Sequence, residues 1–178
     1  MSAGVSVLEL GSGVGAVGLL CCALGAQVTL SDLAPALPLL ARNCRRNGYG
    51  QHLARVAELD WLWAGEAPSK LQPFTALEAR PDVIVASDVW YGGGTDDFFD
   101  VDAPVVLALA ALMAPHTVAY VAHQDRPYRR ASSLADYCEE CGLDVVFRST
   151  ERPLGSSRRS APGRISLLEL RRKAADTA

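Results

Sequence analysis

The chain has 178 residues, of which 49% are hydrophobic, so it can bury one sizeable core but is too short for two ordinary domains. Its 17 basic and 20 acidic side chains give a net charge of -3, which provides no global attraction to nucleic acid or to an anionic membrane. We therefore expect a single domain over residues 1–178 that binds neither nucleic acid nor membrane.

The five cysteines are odd in number and lie in apolar stretches, which favours free thiols in a reducing, cytoplasmic compartment over a disulfide framework. Cys138 and Cys141 form a C-x-x-C pattern, but no second Cys or His pair lies at the spacing of a zinc site. The apolar run over residues 5–26 contains Glu9 and several glycines and lacks a basic n-region, so it does not resemble a targeting segment. The sequence predicts no metal and a cytoplasmic location.

The first organising feature is an apolar strand over residues 5–10 that leads through a glycine-rich turn into an apolar helix over residues 15–24. Glycines between a strand and a helix let the backbone turn sharply and let a ligand approach where any Cβ would collide. The candidate ligand-binding positions on this stretch are Glu9, Gly11, Ser12, Gly13 and Gly15.

Two classes of ligand fit these glycines. Residues 13–18 satisfy the G-x-G-x-x-G pattern of dinucleotide pyrophosphate sites. Glu9, however, places a carboxylate two positions before the first glycine, where a pyrophosphate would meet repulsive negative charge. A cationic ligand is therefore favoured.

A second strand over residues 27–31 ends at Asp32, which lies 21 positions after Gly11. A carboxylate at this place accepts hydrogen bonds from the two ribose hydroxyls of a nucleoside, so Asp32 indicates a nucleoside cofactor without distinguishing between the two classes of ligand. The alternative is an Asp that caps the helix opening at Pro35. That helix is predicted to be amphipathic and to end at Asn47-Gly48.

A third strand over residues 55–59 ends at Asp60 and Trp61. The indole of Trp61 could lie on an adenine face while the Asp60 carboxylate accepts the adenine amino group, although a buried core tryptophan is the alternative. Residues 62–80 contain Gly and Pro and are predicted to be a surface connection with at most one short helix.

A short apolar strand over residues 82–86 delivers Ser87, Asp88 and Tyr91 at its carboxyl end. Because ligands of doubly wound sheets lie at the carboxyl ends of strands, Asp88 and Tyr91 are candidate reaction-site residues facing the glycine turn. The alternatives are a helix cap for Asp88 and a packed aromatic for Tyr91. Residues 95–102 form an acidic stretch that either steers a cationic substrate inward or is a solvated loop.

The remaining pattern predicts a helix over residues 105–113, a strand over 117–122, a helix over 130–141 and strands over 143–148 and 165–170. The last two strands follow each other without a helix, which implies an antiparallel pair at the sheet edge. A six-stranded parallel dinucleotide fold does not end in this way.

Glu9-x-Gly11-x-Gly13-x-Gly15 resembles the first motif of the class I S-adenosylmethionine-dependent methyltransferases, where it holds the amino acid part of the cofactor. The stretch from Glu58 to Trp61, and Asp88-x-x-Tyr91, resemble the methyltransferase-like protein-lysine methyltransferases. The resemblance implies an α/β fold of seven strands with helices on both faces and an antiparallel last strand.

The same resemblance implies a function. It implies a monomer that uses S-adenosylmethionine to methylate a lysine of another protein, such as a chaperone or a translation factor. Asp88 and Tyr91 would be the catalytic residues, and Ser87, Asp60 and Trp61 would join the glycine turn and Asp32 in the cofactor site.

Two other functions stay open from the sequence. The family has an upstream segment that supplies a cofactor-contacting tryptophan and part of a lid, and the chain starts only a few residues before its first strand. A truncated or isoform chain is therefore expected, and a catalytically weak cofactor-binding or protein-interaction module is the first alternative. An NAD-dependent oxidoreductase is disfavoured by Glu9, by Asp88-x-x-Tyr91 and by the antiparallel end.

Overall fold

The computed structural model of the protein describes residues 4–50, 53–76, 80–90, 103–125, 131–151 and 164–174. The strands are β1 Ser6–Leu10, β2 Gln27–Asp32, β3 Ala54–Glu58, β4 Val83–Ser87, β5 Val118–Gln124, β6 Leu143–Glu151 and β7 Ile165–Arg172. The helices are α1 Ala16–Ala23, α2 Leu37–Arg46, α3 Trp63–Glu66, α4 Gln72–Thr75, α5 Ala103–Leu112 and α6 Ala131–Glu140. Short 3-10 turns over Ala34–Ala36 and Pro68–Leu71 precede α2 and α4.

The seven strands form one sheet in the order β3-β2-β1-β4-β5-β7-β6. The first five run parallel, whereas β7 is antiparallel to both β5 and β6. The predicted seven-stranded sheet with an antiparallel last strand is confirmed. In the central register Leu10 lies opposite Ser31 on one side and Ala86 on the other, so the strands that carry the candidate site residues end at one edge.

Each face of the sheet has its own apolar core, and β1 contributes alternate residues to the two. Val7 packs with α1 and α2 over β1, β2 and β3, while Leu8 belongs to the larger cluster that includes α5 and α6. Complete burial of one such leucine stabilises the fold by about 1.5 to 3 kcal/mol. Helices on both faces were expected, and the two cores show why the sheet needs them.

The prediction of a surface connection over residues 62–80 is wrong in one respect. The segment contains α3 and α4, and its Leu71 and Phe74 side chains are buried in the larger core. Burial of these two apolar side chains stabilises the fold, which a fully solvated loop would not do. Pro68 and Pro73 lie at the first or second position of a helical turn, where proline is tolerated.

The helix α1 is apolar in sequence but only partly buried. Gly18 and Cys22 face the sheet, while Leu20 and Leu24 are exposed. None of the helices in the described parts of the chain is long and apolar enough to cross a membrane.

Candidate active site

The glycine turn after β1 is held by two backbone hydrogen bonds, one to β2 and one within the turn. The Ser12 N–H donates to the Ser31 carbonyl at 2.9 Å, and the Gly15 N–H donates to the Ser12 carbonyl at 2.7 Å. Gly11, Gly13 and Gly15 all have positive φ angles, of 62°, 54° and 83°. Such angles favour glycine, which explains the spacing of the motif.

Gly11 brings the ends of three strands together. A Cβ at this position would lie 3.0 Å from Cγ1 of Val89 and 3.1 Å from Cζ2 of Trp61. The absence of a side chain therefore lets the Trp61 indole, which follows β3, pack directly against the end of β1. The predicted neighbourhood of Gly11 and Trp61 is present.

Asp32 accepts two backbone hydrogen bonds. Its Oδ2 accepts from the Gly13 N–H and its Oδ1 from the Leu33 N–H, both at 2.7 Å. Carboxylate oxygens have further lone pairs, so Asp32 can still accept hydrogen bonds from hydroxyl groups. The capping alternative is not what the structure shows, since Leu33 is the N-terminal cap residue of the following turn.

A cavity of about 90 Å³ lies at the carboxyl ends of β1, β2 and β3, and it is lined by Gly11, Asp32, Leu33, Leu59, Asp60 and Trp61. Two carboxylates and an indole around a glycine backbone match the needs of a nucleoside: acceptors for hydroxyl and amino groups, and an apolar face. Ligand pockets usually measure about 300 to 1000 Å³, so this cavity encloses only part of such a ligand. Sequence patterns did not single out Leu33 and Leu59, although each adjoins a predicted acid.

Glu9 lies beneath the turn and does not line this cavity. Its side chain is buried, and a Cβ on Gly18 of α1 would lie 2.5 Å from its Oε2. Within the described residues Oε2 has no hydrogen-bond partner. Burial raises the pKa of Glu9 above its usual value, while the Ser12 hydroxyl and the Gly18 N–H oppose that rise. A cation close to the turn would favour the charged form of Glu9.

The residues at the carboxyl end of β4, from Ser87 to Trp90, separate into an exposed pair and a buried pair. Ser87 and Asp88 are exposed, whereas Val89 and Trp90 belong to the larger core. Asp88 has a φ angle of 55°, a conformation that is uncommon outside glycine and that often occurs at functional sites. Its N–H donates to the Ala122 carbonyl of β5 at 2.9 Å, so the backbone at this position is anchored. Tyr91 and residues 95–102 lie outside the described residues.

All five cysteines of the chain are free thiols. Cys138 is fully buried in α6, and burial raises the pKa of its thiol to about 12. No group of three or more metal-ligating side chains occurs in the described ranges. In the C-x-x-C pattern, Cys138 packs on α6 and Cys141 lies in the turn that follows this helix.

Comparison with known proteins assigns the chain to a family. A family model described as lysine methyltransferase matches residues 1–137. The chain belongs to this family. The lysine methyltransferase match covers the glycine turn, Asp32, the Asp60 and Trp61 pair and Asp88, which are the residues that the cavity and the strand ends bring to one edge. Membership of this methyltransferase family implies that the chain uses S-adenosylmethionine.

Individual relatives agree with the family assignment. The chain is 39% identical over 88 residues to the protein-lysine methyltransferase METTL21E of Bos taurus, covering 48% of this chain and 29% of that protein. It is 41% identical over 58 residues to EEF1A lysine methyltransferase 3 of Xenopus tropicalis, covering 33% of this chain and 26% of that protein. The chain thus spans less than a third of the length of either relative.

The fold is that of the class I, Rossmann-like methyltransferases. A solved TehB-like SAM-dependent methyltransferase from Corynebacterium glutamicum superposes with a TM-score of 0.62 and 16% identity, covering 97% of this chain and 83% of that one. At this identity the likeness supports the fold alone. The predicted methyltransferase architecture is confirmed.

Proposed function

We propose that this protein transfers a methyl group from S-adenosylmethionine to the side-chain amine of a lysine in another protein. The observation that carries the proposal is the lysine methyltransferase family match over the strand ends where Gly11, Asp32, Asp60 and Trp61 line one cavity. The names of the two relatives, both lysine methyltransferases, support a protein substrate.

The described residues fit the cofactor in parts. Asp32 would accept hydrogen bonds from the ribose hydroxyls, and Asp60 would accept one from the adenine amino group. The Trp61 indole would cover the adenine face. Within the glycine turn, Gly13 offers open backbone, since a Cβ at this position would meet nothing within 4 Å. The buried Glu9 below the turn, together with Ser12, would hold the amino acid part through its positive charge. Ser87 at the end of β4 would complete the site.

The reaction needs a neutral amine. A lysine with a pKa of about 10.4 is neutral roughly once in 2500 times at pH 7, a handicap of about 4.6 kcal/mol. When bound, S-adenosylmethionine supplies an electrophilic methyl group on a positively charged sulfur. Asp88, exposed at the end of β4, would accept an N–H of the amine and orient its lone pair, and Tyr91 is assigned the same task from the sequence. Exclusion of water around the amine would lower its pKa, which opposes the rise that a nearby Asp88 carboxylate causes.

We place the reaction in the cytoplasm and assign it to a monomer. The five free cysteines support a reducing compartment. A translation factor is the favoured class of substrate because one relative is named for EEF1A, and a chaperone is the second class.

The proposal is tested by incubating the purified chain with isotope-labelled S-adenosylmethionine and a cell lysate, followed by mass spectrometry of lysine peptides. Labelled methyl-lysine that falls about 10- to 100-fold with Asp88→Asn supports the proposal. Calorimetry with S-adenosylhomocysteine that shows binding without any labelled lysine would identify a cofactor-binding module. Tight NAD binding without a response to S-adenosylhomocysteine would identify an oxidoreductase and overturn the proposal.

A further inference from the structure

The stretch over residues 33–57 has a charge opposite to that of the whole chain. It contains Arg42, Arg45, Arg46 and Arg55 and no Asp or Glu, whereas the chain as a whole carries a net charge of -3. Within the described ranges none of these four arginines takes part in an ion pair. This surface therefore has positive charge that is available to a partner.

A groove of about 800 Å³ runs between α2 and β3 within this stretch. Its apolar lining includes Leu37, Pro38 and Val56, and its polar lining includes Arg45, Tyr49 and Arg55. Arg42 and Arg46 lie on the same helix but do not line the groove. The groove is separate from the cavity that contains Asp32 and Trp61.

The strand that borders the groove lies at the edge of the sheet. β3 pairs with β2 through the Val28 N–H to Leu53 carbonyl bond at 2.7 Å and the Leu59 N–H to Asp32 carbonyl bond at 3.0 Å. Alternate residues of a parallel strand direct their backbone groups to opposite sides, so Val56 directs its N–H and carbonyl away from β2. An extended peptide could pair with β3 at this edge.

We propose that this groove binds an extended, acidic segment of the protein that is methylated. Its backbone pairs with β3 at Val56. Side chains of the added strand alternate between the two faces of the sheet, so acidic residues on one face meet Arg45 of α2 and those on the other face meet Arg55. The inference rests on the proposed function for the identity of the partner. Because β3 leads from the groove to Asp60 and Trp61, a segment bound here tethers the substrate beside the cofactor cavity.

The lining favours a peptide over a nucleic acid. Nucleic-acid grooves combine basic residues with several stacking aromatics, whereas Tyr49 is the single aromatic residue among the residues that line this groove. An apolar lining and an open strand edge match the side chains and backbone of an extended peptide. Arginine also pairs with carboxylates through two parallel hydrogen bonds.

The test uses fluorescence anisotropy with a peptide that repeats Glu-Glu-Thr-Thr, which presents Glu on both faces of a strand, a matched Lys-Lys-Thr-Thr peptide, and an oligouridine of equal charge. We expect the acidic peptide to bind, the basic peptide not to bind, and binding to weaken as salt is raised. Arg45→Glu and Arg55→Glu should each raise the Kd about tenfold or more. Arg46→Glu is the matched control, since it makes the same charge change on α2 outside the groove, and it should change the Kd by less than about twofold.

Backbone pairing is tested separately with Val56→Pro, which removes the outward N–H at an edge position that tolerates proline. Val56→Pro should raise the Kd of the acidic peptide about tenfold, whereas Val56→Thr should leave the Kd unchanged. Thermal unfolding of every variant checks the fold, and Arg45→Gln replaces Arg45→Glu if the reversed charge unfolds the chain.

Three results would overturn the proposal: no binding of the acidic peptide, an equal loss with Arg46→Glu, or tighter binding of oligouridine than of the peptide. The measurement needs neither cofactor nor turnover. A chain that binds the peptide but transfers no methyl group refutes the proposed function and leaves the groove standing, and the reverse pattern refutes the groove alone.

Discussion

Gly11 and Gly13 share a left-handed backbone but differ in their surroundings. A Cβ on Gly11 would contact Val89 and Trp61, whereas a Cβ on Gly13 would meet nothing within 4 Å. Gly11→Ala should therefore lower the free energy of unfolding by about 2 to 4 kcal/mol, from overpacking and left-handed strain together. Gly13→Ala should cost about 1 to 2 kcal/mol, from strain alone. Urea unfolding of both variants checks this. Equal losses of unfolding free energy would show that the Val89 and Trp61 side chains move aside without cost.

Asp32 is the side chain on which cofactor affinity should depend most directly. Asp32→Ala removes charged acceptors for two hydroxyls and should weaken binding of S-adenosylhomocysteine by about 1.5 to 3 kcal/mol, measured by calorimetry. Asp144→Ala, which removes an exposed carboxylate from β6, is the control and should leave the affinity unchanged. If Asp32→Ala leaves the dissociation constant unchanged, Asp32 serves only to hold the Gly13 and Leu33 N–H groups.

The buried Glu9 should make stability depend on pH in an unusual direction. Its pKa is raised above the ordinary value of 4.5, mainly by burial, so the folded state holds the proton more tightly than the unfolded chain. The free energy of unfolding should therefore fall as pH rises from 4.5 through the folded-state pKa. Glu9→Gln removes this titration and should gain stability relative to the parent near pH 7 but not near pH 4. Urea unfolding without cofactor at both pH values decides this, and a constant difference would contradict it.

At the scale of elements, β6 and β7 are joined by a buried acid between two arginines. Glu169 accepts from Nε of Arg148 at 2.7 Å and from Nε of Arg171 at 2.9 Å. The Arg148 hydrogen bond, with Arg171 beside it, lowers the pKa of Glu169 from 4.5 to about 2. The stabilisation is therefore fully present above 4.5 and is lost as pH falls from 4.5 to about 2.

The free energy of unfolding of Glu169→Gln should therefore change less between pH 4.5 and about 2 than that of the parent. Arg148→Gln should reproduce most of the change, because the Arg148 hydrogen bond has the largest effect on the pKa of Glu169. Circular dichroism during acid titration measures both variants. A parent and variant with superimposable acid titrations would show that this pair does not stabilise the edge of the sheet.

Most helices and strands could be predicted because local pattern alone determines them. The helix expected over residues 130–141 is Ala131–Glu140, and the strand expected over 82–86 is Val83–Ser87. What depends on distant partners could not be predicted. The core contacts of Phe74 need α5 and the sheet, and the irregular pairing between Phe147 and Ser149, beside Arg148, depends on β7.

The same division holds in the site. Spacing alone placed Gly11, Asp32, Asp60 and Trp61 at neighbouring strand ends, and the cavity contains all four. Spacing could not show that Glu9 lies under α1 against Gly18, because that contact depends on how closely the helix approaches the sheet. The groove between α2 and β3 was also invisible, since only the fold joins Arg45 to Arg55.

At the scale of the whole molecule, the carboxyl edge of the sheet has two parts. The ends of β1, β2 and β3 surround the cavity assigned to the nucleoside, while Asp88 lies beyond it at the end of β4. Asp88 does not line the cavity, so changes there should separate turnover from cofactor binding. This separation follows from the strand order, because β4 pairs with β1 on the side away from β2.

Asp88→Asn is the variant that tests this division most directly. Asparagine tolerates the left-handed backbone at this position, so the fold should be preserved while the carboxylate is lost. Methyl transfer should fall about 10- to 100-fold, or about 1.4 to 2.7 kcal/mol of activation free energy, because the amine loses the group that orients it. Affinity for S-adenosylhomocysteine should stay within about twofold, and Tyr91→Phe should behave alike. Should affinity collapse together with turnover, Asp88 would belong to the cofactor site, and the orientation of the amine would have to come from elsewhere.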